Sequence, residues 1–171
     1  EAEKEAYDRA FLAMKELRYA DAAEDFQSFL TQYPNSEYAD NAVYWLGESY
    51  YVTRNYDIAL ESFERLMDDY PDSPKVPDAL LKIGYTHYEL KQWDKARAAL
   101  LQVQQDYPDT TLARLAESRL RRMRELSDTV PRKVIEEAEA AVANEQLVAP
   151  VSGVIASANV VSGQVLEPRE T

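Results

Sequence analysis

A chain of 171 residues, of which 46% are hydrophobic, has enough apolar surface for a core, so wholesale disorder is excluded. The net charge of −12 would repel a phosphate backbone, so a nucleic acid is not an expected partner. Cysteine is absent, and no apolar run approaches the roughly 18 residues that a membrane-spanning helix needs. We therefore expect a folded protein that does not span a membrane and has neither disulfides nor thiolate metal sites.

One sequence pattern occurs three times along the chain, at a spacing of 37 residues. Ala22, Ala59 and Ala96 occupy one position of this pattern, and a Tyr-Pro pair such as Tyr70-Pro71 closes each copy. Self-similarity at a period of this length is typical of stacked supersecondary units, which present an extended surface to a partner. The repeat therefore favours a binding module over an enzyme.

Each copy predicts two antiparallel helices. In the second copy, apolar residues recur at helical spacings over residues 39–50 and again over residues 58–67. Asn55 lies between the two runs, where a turn residue is expected. The proline that closes each copy ends the second helix, because it disfavours a helical residue before it.

Small residues occupy one position of the first helices, at Ala10, Gly47 and Gly84. Glycine inside a helix costs up to about 1 kcal/mol, so its presence predicts that the two helices of a hairpin cross closely there. A seventh helix, over roughly residues 111–126, has Arg121 at the same position. A charged residue excludes another closely packed hairpin, so we predict that this helix is a solvating cap.

The last part of the chain differs from the repeats. Pro131 is predicted to break the array, and an alanine- and glutamate-rich helical stretch follows over residues 134–146. The valine- and serine-rich residues beyond it predict short strands and turns. The predicted domains are a repeat array over 1–127, a linker with a helical stretch over 128–146, and a β or irregular tail over 147–171.

The three hairpins resemble the tetratricopeptide repeat. The resemblance covers residues 6–126 and rests on the spacing of Leu46, Gly47, Tyr50, Ala59, Phe63 and Pro71. The usual repeat has 34 residues, and the longer copies here, with the phrase Asp-Tyr-Pro-Asp-Ser at residues 69–73, are similar to periplasmic proteins. The resemblance is to the Tol-Pal-associated cell-division coordinator family (CpoB/YbgF-like), and more distantly to outer-membrane assembly lipoproteins such as BamD.

This resemblance implies an all-α tetratricopeptide-repeat solenoid of three hairpins with a capping helix. It implies a non-catalytic periplasmic scaffold that couples peptidoglycan synthesis to outer-membrane constriction in cell division, with TolA and a peptidoglycan synthase as partners. Family members trimerise through an N-terminal coiled coil, which this sequence lacks, so we expect a monomer. The alternative is an accessory or adaptor fragment of an envelope transport or outer-membrane assembly complex. The chain begins at Glu1 without a signal-peptide pattern, as a mature fragment would.

The tail carries a second resemblance. Residues 149–154 and 163–164 are similar to the lipoyl-like hairpin of the periplasmic adaptors of efflux pumps. No lysine lies within residues 147–168, so covalent lipoylation is not implied. A pair of strands alone is marginally stable in water, so we interpret the tail as a fused or truncated fragment.

A partner-binding groove is predicted along the first helices, because stacked hairpins of this type curve so that these helices line a concave surface. Tyrosine provides a large apolar ring with a polar tip, which suits protein interfaces. The alternative is that some of the tyrosines on the first helices only pack between neighbouring helices. Two carboxylates on these helices, Glu48 and Asp78, would select a basic or amide-rich ligand. The groove set consists of Tyr7, Phe11, Met14, Asn41, Tyr44, Glu48, Tyr51, Asp78, Leu81, Tyr85 and Tyr88.

An arginine cluster lies near the end of the array. Two interpretations are open: a docking patch for an acidic partner, or a solvated terminal helix whose C-terminal dipole favours cations. The cluster comprises Arg114, Arg119, Arg121, Arg122 and Arg124.

No catalytic residue, metal ligand or cofactor site is predicted. His87 is the only histidine, and it falls at the helix-packing position that Tyr50 occupies one copy earlier. The side chains of the adjacent pair Asp68-Asp69 diverge on a helix, so they cannot share a proton or a metal.

Overall fold

The computed structural model describes residues 1–146, and within them it contains seven α-helices. The first six form three hairpins, and the seventh follows the last hairpin. No strand occurs in this described part of the chain. The hairpins are α1 (Ala2–Lys15) with α2 (Tyr19–Gln32), α3 (Ala39–Val52) with α4 (Tyr56–Asp69), and α5 (Val76–Glu89) with α6 (Trp93–Asp106), and α7 is Thr111–Gln146.

The core follows the 37-residue repeat. Phe26, Phe63 and Leu100 occupy equivalent positions of the second helices, and all three are fully buried. Each of the helices α1 to α5 packs against the next helix along the chain, and α1 also contacts α3. Burying a side chain of this size stabilises the fold by about 1.5–3 kcal/mol, so each copy contributes a similar share of the core.

The helices of a hairpin cross most closely at the predicted glycines. A Cβ atom placed on Gly47 would lie 2.7 Å from Cε1 of Phe63, and one on Gly84 would lie 2.7 Å from Cδ2 of Leu100. Such separations are shorter than any ordinary van der Waals contact. The close crossing predicted from the small residues is confirmed.

A left-handed residue connects the two helices of each hairpin. Leu17, Arg54 and Lys91 have positive φ angles of 61°, 63° and 59°. In the first copy, the N–H of Leu17 donates to the carbonyl of Met14 at 3.1 Å and the N–H of Arg18 donates to that of Ala13 at 2.9 Å. This is a helix C-terminus of the Schellman type, in which glycine is the usual left-handed residue. All three copies therefore hold a strained side-chain-bearing residue at this turn.

The loops between hairpins follow the predicted prolines. α2 and α4 end at Gln32 and Asp69, and the next residue in each case, a tyrosine before the proline, has left the helical conformation. Ser36 and Ser73 are not the N-caps of the following helices, because α3 and α5 begin three residues later. Their hydroxyl groups instead accept the N–H two residues ahead, and Ser73 Oγ also donates to Oδ2 of Asp40 at 2.5 Å.

The helix α7 is longer than predicted. The sequence predicted its end near residue 126 and a break at Pro131, but the helix continues through that position to Gln146. A proline inside a helix removes one hydrogen bond at a cost of about 3 kcal/mol, and alanine- and glutamate-rich residues after it favour the helix strongly enough to continue it. The strands predicted beyond residue 146 lie outside the described residues.

The chain forms two compact units, Glu1–Met123 and Arg124–Thr171. α7 begins in the first unit and continues into the second. The predicted domain division at residues 127 and 146 stays a prediction. Among residues 1–146, no helix is both apolar enough and long enough to span a membrane.

Candidate partner-binding site

The first helices of successive hairpins are neighbours, and one position of the repeat joins them. We call this position the bridging register; it consists of Trp45, Lys82 and Arg119, which are spaced by 37 residues. The ring of Trp45 lies 5.3 Å from that of Phe11, and Nζ of Lys82 lies 4.9 Å from the ring centre of Tyr51. Each residue of the register thus packs on an aromatic residue of the preceding first helix, and two of the three contacts are between a cation and a ring.

Arg119 makes the closest of these contacts. Its guanidinium carbon lies 3.9 Å from the ring centre of Tyr85 and 4.6 Å from that of Tyr88. Nη1 of Arg119 is 3.9 Å from Oε1 of Glu89, which is an ion-pair separation too long for a hydrogen bond. A planar guanidinium stacks well on aromatic faces, so Arg119 joins the first helix of the third hairpin to α7.

At the other end of the groove set, Tyr7 belongs to an aromatic cluster. Its ring stacks on Tyr38 at 5.1 Å and on Phe11 at 6.2 Å, and it meets Phe26 and Phe29 edge-on. Burial raises the pKa of the Tyr7 phenol. This end of the surface is therefore a rigid, half-buried group of rings.

A desolvated ion pair lies in the middle of the groove set. Nζ of Lys82 is 2.9 Å from Oε1 of Glu48, and the two side chains are only 21% and 13% exposed. Although the pair is close, Oε1 of Glu48 accepts no well-aligned hydrogen bond from the described residues, and neither does the buried Nη1 of Arg119 donate one. Buried polar atoms usually have such partners. Both atoms are buried, so they lie inside the contacts between helices rather than on the surface open to a ligand.

The members of the groove set differ in how far their side chains are buried. Tyr44 and Leu81 are only 6% and 3% exposed and belong to the core. Tyr44 packs against Trp45 and Phe63, as the alternative interpretation of the tyrosines had it. The others are half-buried, with part of each side chain at the surface: Tyr7, Phe11, Met14, Asn41, Glu48, Tyr51, Asp78, Tyr85 and Tyr88.

Burial keeps the phenols of Tyr44, Tyr51 and Tyr85 neutral at ordinary pH. Desolvation raises the pKa of Tyr51 to about 12, with a further contribution from the negative charge of Glu89. Burial also raises the pKa values of Tyr44 and Tyr85. Tyr51 and Tyr85 can therefore offer a partner ring surface and a hydroxyl group, but no negative charge.

The arginine cluster is divided between two roles. Arg119 is half-buried between aromatic rings, whereas Arg114, Arg121 and Arg122 are exposed. Because α7 continues to Gln146, none of these residues lies at its C-terminus, so the interpretation based on the helix dipole was wrong. The three exposed residues remain a candidate docking patch for an acidic partner.

The single histidine packs as predicted. His87 is buried, and its Nδ1 lies 2.6 Å from Oε1 of Gln92 at the turn of the third hairpin. Within the residues that the structure describes, no group of acidic, histidine or cysteine side chains has the arrangement of a metal site.

A comparison with models of protein families identifies the family of this chain. The model of a family described as YfiO, outer membrane lipoprotein, matches residues 1–136. The chain belongs to the YfiO outer membrane lipoprotein family. Among curated proteins, the cell division coordinator CpoB of Pseudomonas putida is 52% identical over 46 residues. That match covers 27% of this YfiO-family chain and 17% of CpoB, so the chain spans only a small part of that relative.

Solved structures with the same fold are tetratricopeptide-repeat domains. The Sgt2 domain from Aspergillus fumigatus superposes with a TM-score of 0.61 at 15% identity, covering 75% of this chain and 83% of that domain. The Arabidopsis OM64 domain has a TM-score of 0.60 at 17% identity, covering 71% and 95%. The Yersinia enterocolitica chaperone SycD, in complex with a peptide of the translocator YopD, has a TM-score of 0.59 at 18% identity, covering 72% and 89%. The predicted tetratricopeptide fold is confirmed.

Sequence reasoning missed the bridging register as a structural feature. Arg119 was identified only as part of a charged cluster, and Trp45 and Lys82 were not identified at all. The signal was present in the 37-residue spacing of the three residues. What the spacing could not show is that their side chains reach the rings of the preceding first helix.

Proposed function

We propose that the chain is a non-catalytic scaffold of the bacterial cell envelope that binds a protein partner through the groove set. The observation that carries this proposal is the continuous half-buried surface of rings and one desolvated ion pair across α1, α3 and α5. Tetratricopeptide arrays use such extended surfaces for protein binding. Membership of an outer membrane lipoprotein family and the CpoB match both support an envelope location, with the periplasm as the compartment.

The finer proposal concerns cell division. The 52% identity to a cell division coordinator, although limited to 46 residues, supports a role in coupling peptidoglycan synthesis to outer-membrane constriction. By the resemblance of the repeats, TolA and a peptidoglycan synthase are the partners to test. We propose that the described array acts as a monomer in these contacts.

The alternative function is a role in an outer-membrane assembly or envelope transport complex. The family match supports it, because the matched family is named for an outer membrane lipoprotein and the match covers the whole array. Both functions use the chain as a binding scaffold, and they differ only in the partner. A binding assay with both classes of partner therefore discriminates between them.

The chemistry of the groove set defines the ligand that fits it. The half-buried Asn41, Glu48 and Asp78 offer amide and carboxylate groups at the surface, and a peptide with basic or amide-rich side chains supplies matching donors. Half-buried rings such as Tyr85 and Tyr88 provide apolar contact on the same set of first helices. We propose that the ligand is an extended or helical peptide segment with amide-rich or basic residues at this edge.

The experiment measures the affinity of the purified chain for TolA, for a peptidoglycan synthase and for outer-membrane assembly proteins. Tyr85→Ala is expected to weaken binding of the true partner by about 2 kcal/mol, roughly thirtyfold, because an interface tyrosine and the partly buried cation stacked on it are both affected. The matched control is Tyr70→Ala, a half-buried tyrosine in a loop outside the groove set.

The outcome distinguishes the hypotheses. Binding of TolA or the synthase that Tyr85→Ala weakens and Tyr70→Ala does not supports the cell-division function. Binding of only the assembly proteins supports the alternative. If the true partner binds Tyr85→Ala as tightly as the unmodified chain, while the variant keeps its helical content, the groove set is not the binding surface.

A further inference from the structure

A second depression lies between the first two hairpins and shares no residue with the groove set. We call it the turn-end pocket, and it has a volume of about 470 Å³. A shallower depression of about 380 Å³ adjoins it and shares Ala20 and Thr53 with it. The lining of the turn-end pocket includes Ala20, Ala23, Glu24 and Ser28 of α2, Tyr50 of α3 and Thr53 of the following turn.

The other two copies of the repeat carry larger residues at the pocket positions. Ala23 of the first copy corresponds to Leu60 in the second and Arg97 in the third, because the copies are offset by 37 residues. Ala20 corresponds to Asp57 and Asp94 in the same way. Ser28 likewise corresponds to an arginine and a glutamine. Small side chains on one face of α2 therefore leave a space in the first copy, whereas larger side chains occupy the equivalent positions in the other two copies.

The turn beside the pocket also departs from the other copies. Leu17 occupies the left-handed turn position that Arg54 and Lys91 occupy later, and its side chain is 69% exposed. A cation at such a position is solvated, whereas the exposed Leu17 presents apolar surface to water. Leu17 also lines the shallower depression that adjoins the turn-end pocket. The departures at the turn and at the pocket thus have the same effect, because both make this end of the first hairpin more apolar.

The charge around the pocket is negative. Glu24 lies on its lining and forms no ion pair with any of the described residues. Two arginines lie nearby. The guanidinium of Arg18 is 2.8 Å from Glu16 and 2.7 Å from Asp21, and Arg54 lies in the chain between the pocket residues Thr53 and Asn55. The three carboxylates of Glu16, Asp21 and Glu24 outnumber these two cations by one, so the surroundings favour a cation.

We propose that the turn-end pocket is a second docking site, which receives an apolar side chain from a protein partner with a lysine or arginine beside it. The apolar side chain occupies the space above Ala20 and Ala23 and contacts Leu17, and the cation pairs with Glu24. This inference goes beyond the proposed function, since it adds a site that the groove set does not need. With two separate sites, the scaffold can hold two segments of partner protein at once.

The test uses three labelled amphipathic peptides of equal length as probes, with binding to the full chain measured by fluorescence anisotropy at physiological salt. One peptide combines leucine with lysine, the second serine with lysine, and the third leucine with glutamate. The leucine-lysine peptide is expected to bind at least about tenfold more tightly than either other peptide, because only it satisfies both the apolar and the charged requirement. The serine-lysine peptide measures general attraction to a chain of net charge −12.

Variants taken from the other copies locate the binding. Ala23→Leu fills the pocket with the residue of the second copy, and we expect it to weaken the leucine-lysine peptide about tenfold or more. Arg97→Leu introduces the same residue at the same position of the third copy and should leave binding unchanged. Ala20→Asp, at an exposed position, provides a second pocket variant if Ala23→Leu does not fold. Amide chemical shifts are expected to change at Ala20, Ala23 and Thr53.

Several outcomes overturn the proposal. One is that the leucine-lysine peptide does not bind, and another is that the serine-lysine peptide binds equally well. A third is that the folded pocket variants bind like the unmodified chain. Chemical-shift changes confined to the groove set would assign the peptide to that surface instead. Because Tyr85→Ala leaves the turn-end pocket intact, failure of this proposal is distinguishable from failure of the proposed function.

Discussion

Replacing Gly84 by alanine tests the close helix crossing on which the hairpins depend. The substitution improves helix propensity by about 1 kcal/mol, so a free helix would become more stable. In the array, however, the new methyl carbon would lie 2.7 Å from Cδ2 and 2.8 Å from Cγ of Leu100, which is fully buried. Relieving that overlap moves a core side chain or the helix, at a cost of about 1–3 kcal/mol.

The overlap cost exceeds the gain in propensity, so we expect Gly84→Ala to destabilise the array by about 1 kcal/mol and Gly84→Leu by about 2 kcal/mol or more. The measurement is the midpoint of urea unfolding, followed by far-UV circular dichroism. The matched control is Ala10→Gly, at the equivalent position of the first copy, where the buried methyl group already fits. There the loss of a methyl group should itself destabilise the chain.

A second measurement isolates the contact with Leu100. In a Leu100→Ala background the overlap is removed, so Gly84→Ala should become stabilising by about 1 kcal/mol, the propensity term alone. A higher urea midpoint for Gly84→Ala in the unmodified chain would contradict the close crossing. An equal effect of the substitution in both backgrounds would also contradict it, because Gly84 and Leu100 would then be uncoupled.

Four further predictions concern other parts of the chain. The pKa of Tyr51 is raised to about 12 from an ordinary value of 10.0, so the contribution of this phenol to stability is complete below pH 10 and is lost between pH 10 and pH 12. Tyr51→Phe should therefore flatten the fall of the melting temperature over that range. An unchanged profile would contradict the burial of this phenol. Lys91→Gly should stabilise the chain by about 0.5–1 kcal/mol, since glycine relieves the left-handed strain, and a lower urea midpoint would contradict this. Lys82→Met should destabilise it by about 2 kcal/mol, because the carboxylate of Glu48 would remain buried without its cation, and Glu48→Gln in the same chain should restore part of the loss. Removal of residues 128–171 should leave the urea midpoint close to that of the full chain, since Glu1–Met123 is compact by itself, and a large drop would show that the array needs the removed segment.

The sequence predicted the hairpins because the information for them is local and repeated. Apolar spacing placed each helix, the Tyr-Pro pairs placed each inter-hairpin loop, and the mid-helix glycines Gly47 and Gly84 had no other physical reason than a close contact. The extension of α7 could not be read in the same way. A proline indicates a break, but whether the helix ends there depends on the balance with the residues that follow it.

The candidate site was predicted less completely, because exposure depends on neighbours in space. Tyr44 and Tyr85 lie on the same face of successive first helices, four positions apart in the repeat, which is about one helical turn. The ring of Tyr44 turns onto Phe63 and is buried, whereas Tyr85 meets Arg119 and stays half-exposed. The turn-end pocket depends on which residues are absent from a face, so it becomes visible only when the three copies are compared with the structure.

The proposed function requires that the first helices present the surface that binds the partner. Its most direct test is photo-crosslinking in the cell envelope with benzoylphenylalanine in place of Tyr88, compared with the same residue in place of Glu64, an exposed residue of α4 outside the groove set. We expect a specific crosslink to TolA, a peptidoglycan synthase or an outer-membrane assembly protein from position 88 and none from position 64. Crosslinks to these proteins from position 64 alone, or from neither position, would contradict it.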